Sequence, residues 1–147
     1  MYSIGEISKM FQLPISTLRY YDKEGLFPHL KRVNSVRQFS ESEIETLRVI
    51  DCLKRSGLEI KDIKEYIALC SLGNVTLKQR KAIFEKQKEE VLQEMEKLQK
   101  VLSMLNYECW YYDQAIEKND EAYVQALSFN QLPPQIQQYY KHSHEDY

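Results

Sequence analysis

The 147-residue sequence is 43% hydrophobic with a net charge of -2, a composition that excludes a disordered chain and provides for one modest core plus an extension. No apolar run approaches the roughly 20 residues of a membrane span. The opening Met1-Tyr2-Ser3-Ile4-Gly5-Glu6 lacks the basic and apolar segments of a signal peptide, so a cytoplasmic protein without a membrane partner is expected. Cys52, Cys70 and Cys109 are odd in number and far apart, which suits neither a disulfide framework nor the close cysteine pairs of structural zinc.

Ser3 and Glu6 form a capping-box pattern ahead of Ile4, Ile7, Met10 and Phe11, whose spacing predicts a first helix. A break at Gln12 to Pro14 precedes a second helix, about Ile15 to Glu24, which Gly25 closes. Two short helices across so tight a turn make a helix-turn-helix candidate. Pro28, alternating basic and apolar residues and the polar turn Asn34-Ser35 then suit a short two-stranded wing. Ser40 and Glu43 repeat the capping signature before a third helix with Ile44, Leu47, Ile50 and Leu53. A fourth carries Ile60, Ile63, Ile67 and Cys70 on one face. Up to Gln38 the bases Lys9, Arg19, Lys23, Lys31, Arg32 and Arg37 outnumber the acids Glu6, Asp22 and Glu24, and a locally basic head attracts phosphate despite an acidic body.

From Thr76 to about Glu117 there is neither glycine nor proline, which predicts one long helix. Leu77, Phe84, Val91, Leu98, Leu105 and Tyr112 recur every seven residues, and Met95, Leu102 and Cys109 take the second seam position. So narrow a stripe needs a partner helix, and Phe84, Val91, Met95, Leu98, Leu102 and Leu105 are its candidate dimerisation residues. Lys81 and Lys88, at the second seam position near the start, point to a looser end. The expected organisation is mainly α: a winged helix-turn-helix head over residues 1–72, a coiled-coil dimerisation helix over 73–118, and a tail over 119–147 that forms a short helix or stays disordered.

The segments Tyr2-Ser3-Ile4-Gly5-Glu6-Ile7-Ser8, Ser16-Thr17-Leu18-Arg19-Tyr20-Tyr21-Asp22-Lys23-Glu24-Gly25-Leu26 and Arg37-x-Phe39-Ser40 closely resemble the opening of MerR-family transcription regulators. Cys52-Leu53-Lys54-Arg55-Ser56-Gly57-Leu58, with Tyr107-x-Cys109-Trp110-Tyr111-Tyr112 later, resembles more narrowly the aldehyde- and thiol-stress-responsive AdhR/NmlR branch. The resemblance implies a homodimer, its long helices antiparallel, that binds a pseudo-palindromic promoter in double-stranded DNA. It further implies activation by distorting an over-long promoter spacer so that RNA polymerase engages both elements. The DNA-binding residues it implies are Ser16, Thr17, Arg19, Tyr20 and Tyr21 on the second helix and Lys31, Arg32 and Arg37 in the wing. A helix entering the major groove presents side chains from its exposed face in this way. One tyrosine of the pair and Leu18 can equally pack the small core. Four positions depart from the pattern: Pro14 stands where Ser or Thr usually caps the recognition helix, Ser35 where the wing turn normally has glycine, and Val36 and Phe39 where tyrosines are usual.

For an effector, Cys52 has Arg48 four residues before it and Arg55 three after it, within helical reach of its sulfur, where positive charge favours a reactive thiolate. A lone cysteine near an apolar helix face is equally read as a small buried hydrophobe. Tyr107, Trp110 and Tyr111 form either a candidate effector pocket or a packing joint. His142-x-His144 needs ligands from elsewhere to hold a metal, and the paired cysteines of metal-sensing relatives are lacking, so neither metal nor cofactor is expected. No catalytic constellation is assembled, so no enzyme is expected. Two alternatives stand: the same fold responding to a noncovalent aromatic or drug-like ligand, and a coiled-coil adaptor without promoter binding.

Overall fold

The structure, a computed structural model, describes residues 1–145; the last two positions of the expected tail, 146 and 147, lie outside the described residues. The order is α1 (Ile4–Phe11), α2 (Ile15–Lys23), β1 (Lys31–Val33), β2 (Val36–Gln38), α3 (Glu41–Arg55), α4 (Ile60–Ser71), α5 (Leu77–Lys118), α6 (Glu121–Gln125) and α7 (Pro134–Ser143), with single 3-10 turns at Gly73–Thr76 and Phe129–Gln131. The fold is mainly α with a small wing and one helix of 42 residues. It divides into two compact units, Met1–Glu89 and Glu90–Tyr147, a division that falls inside α5. The first turns of α5 belong to the head because they pack on it. Phe84 meets Tyr66 edge-on at 5.3 Å, and the Gln87 amide donates to the Ser56 carbonyl.

In the first unit both capping boxes form. The Ser3 hydroxyl accepts from the Glu6 amide while the Glu6 carboxylate accepts from the Ser3 amide at 2.7 Å; that backbone donor holds the Glu6 carboxyl below its ordinary range. Ser40 and Glu43 repeat the arrangement at α3. By contrast α2 starts at Pro14 with no side-chain cap; its first turn is held by Thr17 and Leu18 amides donating to the Pro14 carbonyl. The core gathers Ile7, Leu18, Tyr21, Leu26, Phe27, Phe39, Ile44, Leu47, Ile50, Leu53 and Ile63. Each fully buried aliphatic side chain there contributes on the order of 1.5–3 kcal/mol.

The wing is a two-residue hairpin in which Arg32 faces Arg37 and Val33 faces Val36. Asn34 and Ser35 both take positive φ, 50° and 64°, as the twist of such a turn requires. Ser35 therefore does what glycine does more cheaply, and the pairing is regular without it. Strand β2 continues into the Tyr2–Phe39 bridge, which ties the wing's base to the N-terminus. In the second unit the tail is folded: Val124, Leu132 and Ile136 are buried, and α7 is capped by Pro133 and begins at Pro134, a proline being well suited to the first helical position. No helix among the described residues is long and apolar enough to cross a membrane.

Candidate nucleic-acid interface

Helix α2 sorts its side chains by helical period. Leu18 and Tyr21 point into the core, while Ser16, Arg19 and Tyr20 are exposed and Thr17 is half-buried. Ser16, Arg19 and Tyr20 are spaced i, i+3, i+4 and so share one face. That face carries a cation, an aromatic hydroxyl and a small hydroxyl, the donors that read base edges and grip phosphates. Tyr21 corrects the expectation drawn from its neighbour. Its side chain is 2% exposed, and its hydroxyl accepts from Lys54 Nζ at 2.9 Å; the same ammonium lies 5.4 Å from its ring centre. Tyr21 joins α2 to α3, and its ring is withdrawn from the face that Arg19 and Tyr20 present.

The wing flanks this face. Lys31 is exposed, with Arg32 and Arg37 beside it, yet neither arginine is an isolated charge. Asp22 on α2, nearly buried, accepts through Oδ2 from Arg32 Nη2 at 2.5 Å and from Arg37 Nε at 2.7 Å. One carboxylate thus braces both strands of the wing against α2, a role that sequence reasoning missed. The signal was present as an acid amid five bases, but nothing in linear spacing shows that it faces residues 10 and 15 positions away. Because Arg32 remains about half exposed, its guanidinium retains donors for a second acceptor.

Comparison with known proteins settles what carries this geometry. The profile of the MerR HTH family regulatory protein matches residues 2–70, and that described as MerR, DNA binding matches residues 44–107. The chain belongs to the MerR family of helix-turn-helix regulators. It is 30% identical over 133 residues to an uncharacterized HTH-type transcriptional regulator of Haemophilus influenzae, spanning 90% of this chain and 96% of that one. With the HTH-type transcriptional regulator AdhR of Bacillus subtilis it shares 34% identity over 92 residues, spanning 62% and 66% of the two chains. Among solved structures it resembles HiNmlR, a MerR family regulator lacking the sensor domain, bound to promoter DNA. That match has a TM-score of 0.67 and 30% identity, and covers 86% of this chain and 98% of the other. The chain is a DNA-binding transcription regulator of that family.

The residues expected to sense an effector in this MerR-family chain sit differently from their expectation. Cys52 is exposed, so it is no buried hydrophobe. Its flanking cations, however, are engaged elsewhere: Arg48 pairs with Glu45, and Arg55 Nη2 pairs with Asp51 Oδ2 at 3.1 Å. Acids one turn away on the same helix thus take both of the guanidinium groups whose spacing offers them to Cys52. Arg80 Nη1 instead lies 3.9 Å from the Cys70 sulfur. Its Nη2 and Nε are fixed on the Gly73 carbonyl and the Thr76 hydroxyl. Burial, and then a hydrogen bond with Cys70, raise the Tyr66 phenol above its ordinary range. Cys70 and Tyr66 also line a cavity of about 530 Å³ with Phe27, Val49 and Ile67.

In the second unit Tyr107 contacts Trp110 at 6.2 Å and packs edge-on against Tyr140 at 5.3 Å; burial raises its phenol above the ordinary range. The Tyr111 hydroxyl donates to Glu121 at 2.9 Å. These rings seat the tail on the end of α5. The expected seam is the reverse case. Val91, Met95, Leu98, Leu102 and Leu105 are all exposed, Leu98 by 60%. Phe84 is exposed as well, although its ring also meets Tyr66 edge-on within the head, and Lys81 is paired one turn on with Glu85 at 3.3 Å.

Proposed function

We propose that the chain binds a pseudo-palindromic promoter as a homodimer and activates transcription from it by distorting the spacer so that RNA polymerase engages both elements. Two copies pair along α5, antiparallel as the family resemblance implies. Helix α2 enters the major groove with Arg19 and Tyr20 leading and Ser16 and Thr17 beside them. Lys31, Arg32 and Arg37 hold flanking phosphates. The observation that carries this reading is the exposed Ser16, Arg19 and Tyr20 face, set beside a wing braced on Asp22. Likeness to a relative bound to promoter DNA supports it. Distortion of DNA by tens of degrees stores a few kcal/mol, which the added wing contacts offset. The test is a mobility shift on the chain's own upstream DNA across salt concentrations. Arg19→Ala should cost about 1–3 kcal/mol and relax base preference, while Arg37→Ala weakens all sequences and flattens the salt slope. An Arg19→Ala chain that binds as tightly as wild type rules out α2 as the reader.

For the effector we propose reactive aldehydes or related electrophiles, trapped by Cys52, whose sulfur is open to solvent on α3. A second reading is favoured by one observation: the guanidinium of Arg80 lies at Cys70, on the wall of an apolar cavity. There a guanidinium faces the sulfur and an apolar or aromatic ligand finds room. Peptide mass mapping after brief exposure to a quinone separates them. Adducts first at Cys52 support the first reading, adducts first at Cys70 the second, and saturable retention of an unreactive aromatic by the Cys70→Ser chain supports noncovalent sensing.

A further inference from the structure

Helix α7 returns along the second unit and brings its C-terminal end to α5. His142 Nδ1 lies 2.7 Å from the hydroxyl of Ser103, a serine that is itself buried. This contact fixes the imidazole plane and turns Nε2 toward Glu96, whose Oε1 is 3.9 Å away. Glu145, three residues on from His142, closes the group: one donor atom from each of Glu96, His142 and Glu145 lies within 4.8 Å of the others. His142 and Glu145 alone are too few ligands, and α5 supplies the third. We propose that Glu96, His142 and Glu145 bind a borderline divalent transition-metal ion, zinc being the representative.

The donor set selects the ion class. An imidazole nitrogen with two carboxylates suits zinc and its neighbours, whereas calcium and magnesium require a fuller oxygen shell. Bonds of about 2.1 Å at the tetrahedral angle place donor atoms about 3.4 Å apart, so small rotations of two exposed carboxylates close the site while the imidazole stays put. Ser103 plays the part that a second group plays behind most metal-bound histidines. By accepting the Nδ1 proton it leaves the lone pair on Nε2, the tautomer that coordinates. The two carboxylates cancel the ion's charge, and the last carbonyls of α7 add partial negative charge at the same end. With solvent completing the shell, micromolar affinity is expected in place of the tighter grip of a closed thiolate site.

The test is titration of the untagged full chain with Zn2+ against a chromophoric chelator, and with Co2+ by absorption. The expected result is one ion per chain, with cobalt d–d bands and no thiolate charge-transfer band. His142→Ala, Glu96→Gln and Glu145→Gln should each weaken binding at least 10-fold. Ser103→Ala should weaken it about 10-fold, as loss of a supporting partner does. Glu145→Gln sits at an exposed helix end, so its loss of affinity at unchanged helix content does not arise from misfolding. The proposal is overturned if His142→Ala binds zinc as wild type does, if binding disappears when the three cysteines are replaced by serine, or if no binding occurs below millimolar zinc.

Discussion

Asp22→Asn isolates the brace between the recognition helix and the wing. The carboxylate accepts from two guanidinium groups through one oxygen, at 2.5 and 2.7 Å, and its side chain is 9% exposed. Hydrogen bonds to charged groups contribute about 1.5–3 kcal/mol each, and charge on both partners makes them roughly twice as strong as neutral ones. The isosteric amide keeps an acceptor but not the charge, so about half of two such bonds is lost. Arg32 is 47% exposed, and solvent screening reduces its share, leaving a net loss of about 1–2 kcal/mol. For a chain of this size that lowers the melting temperature by roughly 2–8 °C. Thermal unfolding by circular dichroism measures it, and a cycle with Arg37→Ala should return a coupling of about 1 kcal/mol. A variant that melts with wild type, or strictly additive losses, would refute the brace and leave the wing arginines as solvated charges.

Leu98→Asp places a charge on the exposed seam of α5 and should give monomer in sedimentation at micromolar concentration; a dimer there refutes the seam. Ser35→Gly relieves a residue held at φ 64° and should raise stability by about 1 kcal/mol in denaturant titration, whereas a loss would mean that the serine hydroxyl contributes to the turn. Tyr21→Phe removes the acceptor of Lys54 and should cost about 1 kcal/mol of stability with operator affinity unchanged in a mobility shift; a selective loss of DNA binding would return Tyr21 to the interface.

The helices and their ends were legible because they are specified locally. The Ser3/Glu6 and Ser40/Glu43 boxes and the glycines at 25, 57 and 73 act within one turn of chain, and each sits where its residue type alone placed it. The length of α5 and its exposed apolar stripe were legible for the converse reason, since seven-residue periodicity is a property of the chain alone. The wing turn was harder: serine at a left-handed position runs against propensity, and the regular pairing shows that Asn34 and the flanking strands outweigh that preference.

What the sequence hid were contacts between distant residues and choices among competing partners. Tyr21 was partly decidable, because Leu18 is apolar and position 21 shares its face three residues on, which leaves Tyr20 as the outward member of the pair. The Cys52 argument counted Arg48 and Arg55 but not the acids within the same reach; Glu45 and Asp51 stand three and four residues from them, and a carboxylate outcompetes a thiol for a guanidinium. No such local count finds Asp22 between Arg32 and Arg37, or Tyr140 against Tyr107, since these pairs are set by how the wing and the tail fold back. The same holds for the cysteines: Arg80 Nη1 lies 3.9 Å from the Cys70 sulfur, from a helix ten residues on, while Cys52 is exposed with its neighbouring arginines paired to acids, so under the proposed thiol response the order of adduct formation at the two thiols decides between accessibility and a neighbouring cation as its basis.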